Sequence, residues 1–194
     1  APIQINYLGY PNTMGASHID YIVADEIIIP EENRKYYSEK IIYLPDTYQP
    51  NDNERVIDST GLTRNHLGVG FDDLLLCSLN QSYKITRAEF NIWMRILLKV
   101  ENSKLMLLTS NKWANKNLLI EAEKRGVDES KIIFAPQLPH GQHLERLALA
   151  DLFLDTFRVN AHTTASDALW AGVPVVTKIG QHFAARVAAS LLNA

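Results

Sequence analysis

The sequence predicts an α/β fold in which helices cover both faces of a parallel β-sheet. From Asp72 onward, short runs of apolar residues alternate with stretches whose apolar residues recur at helical spacing. Glycines also stand where two of these helical stretches should end, at Gly126 and Gly172. Strands and helices that alternate in this way form right-handed β-α-β units, which make the strands parallel and place helices on both faces.

The first part of the chain, residues 1–50, predicts a smaller α/β unit. Strands are predicted at residues 3–8, through residues 20–24 and 27–29, and at residues 41–44. Pro30, which two acidic residues follow, is typical of the first turn of a helix. Residues 51–71 are polar and show no sustained apolar period, so they predict a linker.

The remaining residues, 72–194, predict a Rossmann-like, doubly wound domain. Its strands are predicted at residues 74–79, 104–109, 131–134, 152–155 and 173–177. Its helices are predicted at residues 86–100, 115–125, 140–148, 163–171 and 184–192. In such sheets, ligands bind in the loops that lead from the carboxyl ends of strands into helices. A binding site is therefore expected in those loops.

Composition restricts the class of protein. The formal net charge is −3, with no run of like charges and no apolar stretch of membrane-spanning length, so neither a nucleic-acid partner nor a membrane is predicted. Cys77 is the only cysteine and lies in an apolar run, which predicts a buried thiol and agrees with a reducing, cytoplasmic compartment. The absence of Gly-x-Gly-x-x-Gly argues against an NAD or FAD dehydrogenase.

One polar stretch stands out as a candidate anion site. Residues 160–167 follow a predicted strand and open a helix, whose first amide groups and dipole favour a phosphate. We expect Thr163 and Thr164 to cap this helix, with Thr164 and Asp167 at capping-box spacing. Judged by spacing alone, an ordinary capped helix with an incidental His162 explains the stretch equally well.

Three further stretches carry suitable side chains. Gln81 and Lys84 follow a predicted strand and could meet a diphosphate, while His143 and Arg146 share one face of a predicted helix. Gly9 follows the first strand and permits a close approach of backbone to ligand. A solvated loop, a surface helix of mixed charge and a plain turn remain the alternatives. His140 and His143 lack a nearby third ligand, so no metal site is predicted.

In their joint order, these stretches resemble the O-linked N-acetylglucosamine transferase family, which includes the SPINDLY branch, and its bacterial members in particular. The matching blocks include Leu8-Gly9-Tyr10-Pro11, Asn80-Gln81-Ser82-Tyr83-Lys84, Leu154-Asp155-Thr156, His162-Thr163-Thr164 and the run from Asp167 to Pro174. The resemblance spans essentially the whole chain. It implies a GT-B fold of two Rossmann-like domains, with residues 1–50 a remnant of the first and residues 72–194 the nucleotide-sugar-binding second domain.

The resemblance also implies an activity and a role for each candidate residue. The activity is an inverting, metal-independent transfer of N-acetylglucosamine from UDP-GlcNAc to Ser or Thr hydroxyls of proteins, without a cofactor. Lys84 would be catalytic and stabilise the leaving diphosphate. The implied binding residues are Gln81, His162, Thr163 and Thr164 for phosphate, Asp167 for ribose, His143 and Arg146 for the nucleotide, the backbone at Gln137 and Leu138 for uracil, and Gly9 and Pro11 for the phosphates. His140 departs from the lysine of the animal enzymes.

The catalytic base and a set of tetratricopeptide repeats are expected upstream of Ala1. Because the sequence lacks a starting Met and stops within a helical pattern, both ends are interpreted as cuts, and the chain alone is expected to show little transfer. Three alternatives stay open: a GDP-fucose donor, as in the plant SPINDLY branch; a nucleotide-sugar-binding module without catalysis; and a sugar-nucleotide epimerase of the same fold.

Overall fold

A computed structural model describes residues 1–194. In this structure the chain forms two parallel β-sheets. The smaller sheet has the order β1-β2-β3 and consists of Ile5–Asn6, Tyr21–Ala24 and Lys40–Tyr43. The larger sheet has the order β6-β5-β4-β7-β8 and consists, in chain order, of Leu74–Ser78 (β4), Ser103–Leu108 (β5), Ile132–Ala135 (β6), Leu152–Leu154 (β7) and Val175–Val176 (β8). All neighbouring strands are parallel, which confirms the predicted α/β class.

The order of the larger sheet fixes where a ligand can bind. The chain builds outward from β4 to β5 and β6, then returns to the other side of β4 to form β7 and β8. The direction of winding therefore reverses between β4 and β7. At such a switch point the loops that follow the two strands diverge to opposite faces and leave a crevice at the carboxyl edge.

Five α-helices accompany the sheets. They are Arg87–Lys99 (α1), Lys112–Glu123 (α2), His140–Leu147 (α3), Thr163–Trp170 (α4) and Val187–Asn193 (α5). Phe90, Trp93 and Leu97 of α1 are buried in an apolar cluster with β5, whereas Leu144 of α3 and Ala165 of α4 belong to a separate cluster. The larger sheet is thus covered on both faces, as its continuous apolar strands predict. None of the helices has the length and apolar character needed to span a membrane.

Two local predictions for the first part of the chain were wrong. Residues 27–29 do not extend a strand, because the Asp25 carboxylate accepts a hydrogen bond from the Ile28 amide at 2.7 Å and holds a buried turn there. The helix expected from Pro30 is a 3-10 helix, Glu31–Tyr36, without a buried residue. A segment that buries no apolar face gains little from a longer α-helix.

The last predicted helix, at residues 184–192, is also interrupted. A 3-10 turn, Phe183–Ala185, precedes α5, and Arg186 stands between them with φ −127° and ψ −7°. The Arg186 guanidinium donates to the carbonyl oxygens of Ile27 at 2.6 Å and Gly180 at 2.8 Å. The two hydrogen bonds of the Arg186 side chain thus accompany the break in the helix at Arg186.

Contacts across the chain join the two sheets. Phe183 and Val187 pack in the apolar cluster of the smaller sheet, and Ser190 donates to the buried Asp25 carboxylate at 2.6 Å. The segment 51–71, expected as a linker, packs against α3, where the Asp58 amide donates to the Gly141 carbonyl at 3.1 Å. The residues of α5 and of the turn before it therefore join the two units, while the segment 51–71 lies against the helices of the larger one.

Candidate functional site

A cleft of about 380 Å³ opens between the smaller sheet and the carboxyl edge of the larger one. Its walls are Leu8, Tyr48, Gln49, Pro50, Asn51, Asp52, Arg55, His140, His162, Thr163 and Asp167. Larger surface grooves lie on α2 and on the outer face of α1, away from the strand ends. A groove of about 470 Å³ also lies among the loops after β4, β7 and β8, but none of the predicted binding residues lines it. The smaller cleft is the one that brings together His162, Thr163 and Asp167.

Helix α4 presents an uncapped N-terminus beside this cleft. His162 is the N-cap residue, and no side chain accepts a hydrogen bond from the first turn, so the expected caps from Thr163 and Thr164 were wrong. The amides of Ala165 and Ser166 both bond the His162 carbonyl, whereas those of Thr163 and Thr164 find no acceptor within the protein. Free amides at the positive end of a helix dipole attract an anion.

Lys84 and Gln81 do not line the cleft itself but lie next to the loop before α4, on the other side of the switch point. It ends a 3-10 turn, Ser82–Lys84, after β4, and its Nζ donates to the Asn160 carbonyl at 3.0 Å in the loop between β7 and α4. Burial lowers the pKa of the Lys84 ammonium, and the Asp155 carboxylate acts in the opposite direction. Gln81 begins the same turn, and its Oε1 lies 3.4 Å from the Ser110 hydroxyl, which donates to it.

His162 lies beside Lys84 as a neutral side chain. Burial lowers the pKa of His162 to about 4; a hydrogen bond to the Ala184 carbonyl opposes this shift, and the charge of Lys84 adds to it. The bond to Ala184, 3.3 Å from Nε2, requires a proton on that nitrogen. At neutral pH the His162 ring therefore adds no charge, and its single N–H is used by the Ala184 carbonyl.

Asp155, which sequence reasoning quoted only as part of a matching block, organises these loops. Its buried carboxylate accepts hydrogen bonds from the amides of Thr156 at 2.7 Å and Ala161 at 2.6 Å, and from the Thr177 hydroxyl at 2.6 Å. The Asn80 amide group lies 3.3 Å from the same carboxylate. Burial raises the pKa of Asp155 to about 6, against the effect of these bonds. A single side chain thus holds the loops after β4, β7 and β8 together.

Asp167, on the cleft side of α4, stands at the centre of a second polar cluster. One carboxylate oxygen, Oδ1, accepts from Arg55 Nη1 at 2.8 Å and from His140 Nε2 at 3.1 Å. The other oxygen, Oδ2, lies 4.0 Å from His143 Nε2. His140, where the sequence departs from the family it resembles, therefore contacts Asp167, the residue expected to bind the ribose.

Arg146 does not face the cleft, although it was expected to share a pocket with Lys84 and Thr163. The residue is 2% exposed, and its guanidinium donates to the Pro136 carbonyl at 2.5 Å and to His143 Nδ1 at 3.0 Å. Burial lowers the pKa of His143, and the adjacent Arg146 charge lowers it further. Arg146 thus braces the chain just before Gln137 and Leu138, and it braces His143, which lies 4.0 Å from Asp167.

The remaining predicted residues lie around the rim. Gly9 is exposed, and a side chain added there would meet nothing within 4 Å, so protein packing does not explain the glycine. Leu8 lines the cleft in a left-handed conformation, φ 62°, and the Gly9 amide bonds the Tyr7 carbonyl at 2.8 Å. Pro11 is half-buried next to this turn. Gln137 is exposed and Leu138 half-buried in the segment between β6 and α3.

Sequence reasoning missed the cleft residues between Tyr48 and Arg55, of which Arg55 makes the strongest contact with a predicted site residue. It lies in the polar stretch interpreted as a linker, and nothing in the residues around it indicates a partner more than a hundred positions away. No group of three or more His, Cys, Asp or Glu side chains is close enough together to hold a metal ion.

Known proteins resemble the chain over its full length. An Arabidopsis thaliana protein named as a probable UDP-N-acetylglucosamine–peptide N-acetylglucosaminyltransferase SEC is 40% identical over 98% of this chain and 20% of its own length. A SPINDLY protein of Eustoma exaltatum with the same probable activity in its name is 32% identical over 100% of this chain and 21% of its own length. The chain therefore spans about a fifth of these relatives.

A solved structure and a family profile agree with these relatives. A mutant of the Thermobaculum terrenum O-GlcNAc transferase superimposes with a TM-score of 0.83 and 28% identity, covering 99% of this chain and 36% of that one. This match confirms the predicted GT-B type of fold. The profile of glycosyl transferase family 41 matches residues 1–61 and 51–194. The resemblance seen in the sequence is thereby confirmed, and the chain belongs to glycosyl transferase family 41.

Proposed function

We propose that this chain is the donor-binding part of an inverting, metal-independent transferase that moves N-acetylglucosamine from UDP-GlcNAc to Ser and Thr hydroxyls of proteins. The observation that carries the proposal is that Lys84 bonds the Asn160 carbonyl, two residues before the uncapped start of α4 at His162. The printed names of the Arabidopsis and Eustoma relatives support the donor and the peptide acceptor.

The cation and the helix start suit the charge that develops during transfer. Cleavage of the bond between sugar and phosphate leaves negative charge on the nucleotide diphosphate. Lys84 keeps two of its three N–H donors free of protein acceptors, and the amides of Thr163 and Thr164 are unpaired. Donors that are fixed before the reaction stabilise such charge most effectively, so in our proposal no metal is needed to meet it.

The neighbouring side chains account for recognition of the rest of the donor. We assign the ribose to Asp167 and the uracil to the backbone at Gln137 and Leu138 beside His143. We assign the phosphates to Gln81 and to the helix start, where His162 contributes through its backbone amide. Gly9 and Pro11 approach the phosphates from the smaller unit, where Leu8 already lines the cleft. Arg146 contributes indirectly, by holding His143 in place.

Isothermal titration of the 194-residue chain with UDP, UDP-GlcNAc, GDP and GDP-fucose tests the proposal. We expect the uridine nucleotides to bind and the guanosine nucleotides to bind at least tenfold more weakly, about 1.4 kcal/mol. Preference for GDP would replace the proposed donor, and failure to bind any nucleotide would refute the site. Because the chain spans about a fifth of its relatives, we expect transfer to protein only from a longer protein that carries it, with tetratricopeptide repeats upstream.

A further inference from the structure

The segment that follows β3 places one arginine in the wall of the cleft. Arg55 Nη1 lies 2.8 Å from Asp167 Oδ1 and 3.2 Å from the Ser166 hydroxyl. The side chains of Arg55 and Asp167 are only 9% and 7% exposed. An ion pair so little exposed is weakly screened by solvent and salt, unlike the surface pairs elsewhere on the chain.

Further contacts fix the arginine itself. Its Nε donates to the Asp52 carbonyl at 2.9 Å, and its guanidinium lies 4.6 Å from the centre of the Trp170 ring. The indole of Trp170 donates in turn to the Arg55 carbonyl at 3.2 Å. The planar guanidinium is thus held in one orientation before a ligand binds. Less conformational entropy of Arg55 and Asp167 is therefore lost when Asp167 binds the ligand.

The geometry of the pair leaves one carboxylate oxygen available. Arg55 and His140 both bond Oδ1 of Asp167, whereas the nearest base to Oδ2, His143 Nε2, is 4.0 Å away, beyond hydrogen-bond distance. A ligand hydroxyl could therefore donate to Oδ2 without displacing the arginine. A hydrogen bond to a carboxylate that is paired with an arginine is charge-assisted and stronger than one between neutral groups.

From these contacts we infer that Arg55 is a positioning residue for the nucleotide sugar: it orients the Asp167 carboxylate so that Oδ2 faces the ribose hydroxyls. The inference rests on the proposed function, which assigns the ribose to Asp167. It also gives the segment 51–58 a role in donor binding, because the same segment carries Arg55 and bonds α3 through Asp58.

The test compares two ligands on two proteins. Titration calorimetry with UDP and with 2′,3′-dideoxyuridine diphosphate, which lacks both ribose hydroxyls, is done on the unaltered chain and on Arg55→Gln. We expect the unaltered chain to prefer UDP about tenfold, and Arg55→Gln to lose most of that preference through weaker UDP binding. In an Asp167→Asn background, Arg55→Gln should change UDP affinity no further. Arg34→Gln, which removes a surface pair with Glu31, is the matched control and should leave both affinities unchanged.

Each outcome separates the inference from the function on which it rests. If the unaltered chain does not bind UDP, the proposed function fails. If UDP binds but Arg55→Gln weakens both ligands equally, the arginine only supports the fold and the inference is overturned. Tighter UDP binding by Arg55→Gln would also overturn it, because the arginine would then compete with the ribose. Should Arg55→Gln not fold, Arg55→Lys, which retains the charge without the forked geometry, is expected to show an intermediate preference.

Discussion

Replacing Lys84 with methionine removes the cation at the switch point while keeping a side chain of similar length. Burial lowers the pKa of the Lys84 ammonium, so its charged form is less favourable in the folded than in the unfolded chain. At neutral pH, removal of this cost opposes the loss of the donor to the Asn160 carbonyl, so the unfolding temperature of the variant should change little. A loss of activity could then not be attributed to unfolding.

The size of that loss follows from the proposed contact. Two unit charges about 3 Å apart interact by about 5.5 kcal/mol at an effective dielectric constant of about 20. If the leaving diphosphate gains about half a charge in the transition state, Lys84 contributes about 3 kcal/mol to the rate and much less to nucleotide affinity. This corresponds to a decrease in kcat of about a hundredfold or somewhat more, the range known for loss of one donor to a developing oxyanion.

The measurement combines transfer and binding. Transfer of sugar to a protein acceptor is followed in a full-length protein that carries Lys84→Met, and UDP affinity is measured by calorimetry on the same variant. Lys124→Met provides the control, since Lys124 directly follows α2, is 63% exposed and pairs only with Glu121. Equal losses in kcat and in UDP affinity, or an unchanged kcat, would refute the leaving-group role of Lys84.

Three other predictions concern stability. Because burial lowers the pKa of His162 from 6.5 to about 4, the unfolded chain binds more protons between these values and stability falls as the pH drops through them. His162→Gln should therefore lose less unfolding free energy than the unaltered chain between pH 6.5 and 4 in urea titrations; parallel losses would contradict the shift. Arg146→Met should destabilise the fold by about 1–3 kcal/mol in the same assay, because the Pro136 carbonyl and His143 Nδ1 lose their donor. An unchanged free energy of unfolding would contradict this and show that water replaces the guanidinium. Thr86→Ala should cost about 1–2 kcal/mol by removing the cap of α1, where Thr86 and the buried Glu89 bond each other, with Thr86→Ser as the variant that retains the cap.

Local features were predicted well because neighbouring residues decide them. The helix expected at residues 86–100 is observed as Arg87–Lys99, where Thr86 and Glu89 form a capping box. A shared site for Lys84, His162 and Thr163 stays a prediction, but the approach of the loops that carry them has a general reason. The carboxyl ends of parallel strands meet at one edge, so the loops after β4 and β7 had to approach each other.

The orientation of Arg146 and the role of Arg55 could not be predicted in this way. A side chain three positions from His143 on a helix can point towards a ligand or into the core, and the packing around the Pro136 carbonyl selects the core. Likewise, polar residues in the segment 51–71 indicate a linker until α4 is seen beside them.

The sequence by itself determined the family, the parallel sheet and the edge where the cleft lies, because these depend on local periodicity, caps and motif order. Only the tertiary structure decided which charged groups face the cleft, because those contacts join residues that lie far apart along the chain.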